Sequence, residues 1–132
     1  MRRRLFTLEE ANAELPWLTE TFAGLMPVRD ELAVRQQELL ALLRERRGNG
    51  ASSHETERRD LQRTVDRLTQ ELQGKLREIG ERGIIVRDLS SWLVDFPSER
   101  EGREIYLCWI RGEDTIGFWH ETNAGYSSRQ PL

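Results

Sequence analysis

The sequence holds a single cysteine, Cys108, so no disulfide can form within the chain and zinc motifs built on paired cysteines are excluded. Histidine is almost as scarce, with only His54 and His120, which rules out a site built from histidines alone. No apolar run approaches the length needed to span a bilayer. After the basic start "MRRRLFTLEEANAEL", Glu9, Glu10 and Glu14 interrupt any apolar stretch, so no secretory leader is expected. Glycine-rich phosphate loops, serine-nucleophile elbows and nucleotide fingerprints are missing too. The net charge is −3, so there is no global basic field to gather nucleic acid or an anionic membrane. The arginine runs, Arg2 to Arg4 and Arg44, Arg46 and Arg47, are interleaved with acids and are expected to be solvated helix faces or termini. Together these absences predict a soluble cytoplasmic protein.

The chain is rich in charge, 33% against 37% hydrophobic, a balance that long solvated helices produce more readily than compact sandwiches. Thr7 stands three residues before Glu10, the spacing at which a hydroxyl and a carboxylate cap each other's backbone amides, so a helix should begin there. Leu8, Ala11, Leu15, Leu18, Phe22, Leu25, Leu32, Leu39 and Leu43 then recur in steps of three and four or their sums. Pro16 and Pro27 should break or kink this helix while its apolar stripe stays in frame. "RRGNGASS", residues 46–53, reads as a loop, with Gly48 and Gly50 free to take positive φ and Ser52 or Ser53 able to cap a second helix. From about Ser53 to Ile79 a second stripe, Leu61, Val65, Leu68, Leu72, Leu76 and Ile79, predicts the return helix of a hairpin. "GERG" at 80–83 should end it.

From Ile84 the periodicity changes. "IIV", "WLVDF", "EIYLCWI" and "TIGFWHE" are short, β-branched and aromatic, and separated by turn residues. A type II′ turn at "RGED", with Gly112 first of its two central residues, would oppose Leu107 to Phe118 and Ile105 to His120. Phe118 and His120 would then share a face with Ile105, Leu107 and Trp109, while Trp119 and Glu121 would lie opposite with Tyr106 and Cys108. Both faces are largely apolar and both need a cover, of which the helices supply one. The "AGYSSRQPL" tail or a second copy of the chain would supply the other.

The segments "FTLEEANAELP", "VDFPSEREGREIYLCWIRGED" and "IGFWHETNAGYSSRQPL" together resemble a bacterial family known as domain of unknown function 2203, over nearly the whole chain. The resemblance carries no activity and therefore no catalytic residue. Glu121 stands where that family's pattern has Asp, which weighs against a strict metal-ligand role for its carboxylate.

Neighbours on a strand point to opposite faces, so His120 and Glu121 cannot jointly hold one metal unless the strand ends or bulges there. Two roles stay open for His120. It is either a hydrogen-bonded ring at the rim of the core, as the scarcity of other ligands suggests, or one ligand of a mixed site with Asp95 or with acids from a second subunit. Asp95 lies in an otherwise apolar strand and must be edge-exposed, paired or functional; a strand-end acid accepting backbone N–H bonds before Pro97 is its simplest role. Arg129 suits it as a bidentate partner, and an Arg129–Asp95 clamp would tie the tail to the sheet. Trp92, Trp109, Trp119 and Tyr126 should mostly fill the core, leaving Trp119 or Tyr126 to touch a partner. Cys108, opposite Gly117 in this register, points away from His120, which excludes a Cys–His dyad.

The sequence thus predicts one α+β domain over residues 1–132, a long antiparallel helical hairpin at 7–80 packed on a small C-terminal antiparallel sheet with its tail at 84–132. The expected function is a cytoplasmic interaction or scaffolding module that self-associates as a homodimer, without cofactor, nucleic acid or membrane. The alternative is a small-molecule or metal-binding protein, an enzyme included, with a site from His120, Glu121, Asp95 and Arg129 near Trp119 and Tyr126, in which His120 is the residue marked as a metal ligand. Nucleic-acid binding through the arginine runs ranks third.

Overall fold

The computed structural model describes residues 4–45 and 51–132, with side chains in the second stretch from His54 onward. Two long helices, α1 (Leu8–Glu45) and α2 (Ala51–Glu81), form a helical hairpin followed by a five-stranded antiparallel sheet. Its strands, β1 (Ile85–Asp88), β2 (Leu93–Arg100), β3 (Arg103–Ile110), β4 (Phe118–Glu121) and β5 (Gln130–Pro131), lie in sequence order. The architecture is α+β, as expected. The chain forms two compact units, Met1–Phe22 with Leu76–Leu132, and Ala23–Lys75, so both helices run through the boundary between them.

The start of α1 is the capping box read from the sequence. The Thr7 amide donates to Glu10 Oε1 at 2.8 Å, and the Glu10 amide donates to Thr7 Oγ1 at 3.1 Å. The donated bonds from Thr7 also hold the Glu10 carboxyl below its ordinary value. Contrary to expectation, α1 is not broken at Pro16 or Pro27: both prolines sit on the exposed side, where each removes one amide donor from the ladder without disturbing the buried stripe. The glycines of the expected interhelical loop, Gly48 and Gly50, lie outside the described residues, and α2 begins at Ala51, two residues before the expected start. Its end is a Schellman motif. The Ile84 amide reaches Ile79 O at 3.4 Å, the Gly83 amide reaches Gly80 O at 2.9 Å, and Gly83 takes φ +90°. A Cβ on Gly83 would also press on Arg4 Cβ at 3.1 Å.

In the first unit the early turns of α1 bury Ala11, Leu15, Leu18 and Phe22 with Ile79 of α2. The sheet face carrying Val94, Phe96, Ile105, Leu107, Trp109 and Trp119 supplies the other side of this core. Phe22 stacks on Trp92 at 4.6 Å and lies 6.3 Å from Trp109, while Phe6 meets Phe96 edge-on at 5.2 Å. The Ile116 amide donates to Asn12 Oδ1, joining the end of the β3–β4 connection to α1. In the second unit Leu25, Leu32 and Leu42 of α1 and Val65, Leu68 and Leu72 of α2 are buried.

Two turns set the sheet. Between β2 and β3, Glu101 and Gly102 both take positive φ, +52° and +79°, the pattern of a type I′ hairpin whose twist matches the flanking strands. Between β3 and β4 the outcome differs from expectation. The Glu113 amide donates to Ile110 O at 3.1 Å, so the turn begins at Ile110 and Gly112, at φ +107°, is its third residue rather than its second. The connection gains a residue, and Leu107 pairs with Trp119, Cys108 with Phe118 and Tyr106 with His120. A one-residue slip exchanges the faces of a strand. Trp119 and Glu121 therefore lie on the face toward the helices, and Phe118 and His120 on the far face.

Phe22 meets two tryptophans and is wholly buried. Phe22→Ala should therefore cost about 3–5 kcal/mol, the range for truncating a core aromatic, measured by urea unfolding followed through tryptophan fluorescence. A loss under about 1 kcal/mol would mean this ring is not the packing centre we describe.

Candidate functional site

The far face of the sheet gathers the polar residues. Asp95 pairs with Cys108 across β2 and β3, and Tyr106 pairs with His120 across β3 and β4, so cross-strand geometry sets all four side chains on one side. Asp95 and His120 are each 2% exposed and Cys108 is fully buried. His120 Nε2 lies 2.9 Å from Asp95 Oδ1, and its Nδ1 lies 2.8 Å from the backbone oxygen of Glu121. Arg87 donates from Nε to Asp95 Oδ2 at 2.9 Å and holds its guanidinium 5.0 Å from the Tyr106 ring centre. Both oxygens of the buried carboxylate are thus engaged, which offsets the cost of desolvating it.

Arg129 does not clamp Asp95. Its NH2 donates to Glu113 Oε2 at 2.9 Å and its NH1 to Oε1 at 3.3 Å, while NH1 also approaches Cys108 Sγ at 3.9 Å. The guanidinium stacks 3.9 Å from the Phe118 ring centre and 4.5 Å from that of Tyr126, itself half exposed in the short 3₁₀ turn Tyr126–Ser128. Asp95 reaches Arg87 instead because β1 runs beside β2: Ile85 opposes Asp95, and Arg87 lies two residues further along. The tail expected to cover the far face does contribute to it, through Arg129. Its last residues form β5, with Phe118 paired to Pro131 and Trp119 to Gln130.

Glu121 lies on the opposite face from His120. There it forms a bidentate pair with Arg103, whose donated hydrogen bonds hold its carboxyl below the ordinary value. Trp119 is buried on the same face, beneath the guanidiniums of Arg100 at 4.7 Å and Arg103 at 5.9 Å. Of the six candidates read from the sequence, the structure brings His120 and Asp95 into direct contact, sets Arg129 with Tyr126 at the edge of their face, and places Glu121 and Trp119 on the other side.

Contrary to the expected register, Cys108 shares the face of His120. Among the described residues, one oxygen of Asp95, Cys108 Sγ and one ring nitrogen of His120 lie within 4.8 Å of one another. The thiol is no nucleophile here. Burial, then the nearby Asp95 charge, raise it from 9.0 to about 11, so the neutral form persists where a reactive cysteine would be thiolate. Arg87 and Glu113 were also missed. Arg87 shares the side of β1 that carries Ile85, opposite Asp95, by the period of a strand, while Glu113 reads as an ordinary turn acid.

A family model described as an uncharacterized conserved protein, DUF2203, matches residues 4–132. The chain belongs to that family. No curated protein and no solved structure matches it.

Removing the Asp95 carboxylate leaves His120 and Arg87 without their shared acceptor. Asp95→Ala should therefore cost about 3–5 kcal/mol in chemical denaturation, as for breaking one side of a buried pair; a cost near zero would show the pairing to be energetically idle. The thiol makes a second prediction. Because its folded value is raised, Cys108 contributes stability that is present below about pH 9 and lost as pH rises through about 11. Urea midpoints should fall more steeply across that window in the natural protein than in Cys108→Ala, and equal slopes would refute the assignment.

Proposed function

We propose that this DUF2203 protein is a cytoplasmic interaction module that pairs with a second copy of itself through the far end of α1. The observation that carries the reading is an apolar band there. Leu40 and Leu43, one turn apart, are 45% and 41% exposed, with half-buried Leu39 beside them. Val34, earlier on the helix, is 49% exposed. Ala11, Leu15, Leu18 and Phe22, earlier on the same helix, are buried, so the exposed leucines mark a change along a single element.

The far face of the sheet supports the same reading from another direction. His120 and Asp95, the residues most apt for a substrate, are buried and spend their polar atoms on each other, on Arg87 and on backbone. A reacting group needs access that these lack. The net charge of −3 gives nucleic acid little to bind, and no described helix is long and apolar enough to cross a membrane. A protein surface is the partner that remains, and a second copy is always present at matching concentration.

Sedimentation equilibrium from micromolar to millimolar chain should show a reversible dimer. The double variant Leu40→Glu, Leu43→Glu should weaken it by about a hundredfold or more, since each leucine buried at an interface contributes ~1.5–3 kcal/mol, while circular dichroism stays that of the natural chain. A natural chain that remains monomeric across this range would overturn the proposal.

A further inference from the structure

We infer that Asp95, Cys108 and His120 form a buried binding site for a zinc-like divalent cation. Hydrogen-bond bookkeeping around the ring is the starting point. Nδ1 of His120 lies 2.8 Å from the backbone oxygen of Glu121, and a carbonyl oxygen can only accept, so Nδ1 carries hydrogen. In a neutral ring that leaves a lone pair on Nε2, directed at Asp95 Oδ1 only 2.9 Å away, where a carboxylate presents lone pairs of its own. Two acceptors at that distance need a proton or a metal ion between them. A proton satisfies the pair alone; a metal ion also explains the third ligand atom, Cys108 Sγ, held within 4.8 Å of the other two.

The surroundings match what orients metal ligands. A histidine that donates its second ring hydrogen to a backbone carbonyl has its coordinating nitrogen fixed in direction. Arg87 occupies the other oxygen of Asp95 at 2.9 Å, so Oδ1, which faces His120, is the oxygen that would turn to an ion, and Arg129 NH1 stands 3.9 Å from the sulfur, where it can support a thiolate. One sulfur, one nitrogen and one oxygen suit zinc, cobalt or ferrous iron and not magnesium or calcium, which take oxygen. A thiolate and a carboxylate together neutralise a dication, which lets it sit in a buried place. Bond lengths of about 2.0–2.3 Å to such an ion require Nε2 and Oδ1 to separate by about half an ångström and the sulfur to close in, all within side-chain reach. Because all three ligands are buried, the ion would brace β2, β3 and β4 rather than meet a substrate.

The test uses the full chain, stripped with chelator and then titrated with Co2+ and, separately, Zn2+. We expect one Co2+ per chain with a sulfur-to-cobalt charge-transfer band, and a rise in Tm with Zn2+. Cys108→Ser, which keeps nearly the same shape, should abolish the charge-transfer band, and His120→Gln and Asp95→Asn should each weaken Zn2+ at least about tenfold. The spectrum of the natural protein decides the matter even if a variant fails to fold. No cobalt uptake, uptake without a charge-transfer band, or a band that survives Cys108→Ser would each overturn the inference.

Discussion

The carboxylate of Glu113 closes the β3–β4 connection from within. One oxygen accepts the Ile110 amide at 2.8 Å, the backbone oxygen of the same residue accepts the Trp109 indole N–H at 2.9 Å, and the guanidinium of Arg129 grips the carboxylate from the tail. With Glu113 so fixed, the turn must begin at Ile110, and every residue of β4 is assigned its face. Trp119 joins the core against the helices, and His120 joins Asp95 and Cys108 on the far side. The far-face chemistry therefore depends on a contact in the connection between Cys108 and His120, at the end of the sheet.

The two faces of the sheet reach low exposure by different means. On the helix side the side chains are apolar and aromatic, and burial itself is the stabilising term. On the far side a carboxylate, a thiol and an imidazole are taken out of water, and their cost is met by specific partners: Arg87 for Asp95, Asp95 and the Glu121 carbonyl for His120. Arg87 and Arg129 perform two tasks there. Each supplies charge to an acid and lays its planar group on an aromatic ring, Tyr106 or Phe118, so a cation doubles as a cover for apolar surface.

What could be read from the sequence was what local chemistry determines. Thr7 and Glu10 are three residues apart and satisfy each other whatever the rest of the chain does, and the leucine and alanine stripe of α1 needs only the period of a helix. The strands announced themselves by β-branched and aromatic runs. Their register did not, because it turns on Glu113 and Arg129, sixteen positions apart, meeting in space. That one slip exchanges the faces of His120 and Trp119 and brings Cys108 to the side of His120. Asp95 and His120 are legible in any register, because a polar group inside an apolar strand demands a partner. The carboxylate that Arg129 meets is not legible, because Asp95 and Glu113 both lie within reach of an extended tail and only the fold distinguishes them.

The margins of the sheet are blunted at each side. Along β2, where β1 no longer reaches, Pro97 offers no amide, its carbonyl is taken by the Phe6 amide at 2.7 Å, and the Ser98 hydroxyl holds the Phe6 carbonyl. The outer strand β1 is four residues long, irregular after Val86 and closed by Arg87 and Asp88; the opposite outer strand, β5, is two residues long and one of them is Pro131. A polypeptide seeking to add itself as a sixth strand finds no ladder of free donors and acceptors to join. Growth by strand addition, the route from a small sheet to fibrous aggregates, is thereby obstructed, so this sheet can remain a terminus of the fold at high concentration instead of a template for further chains.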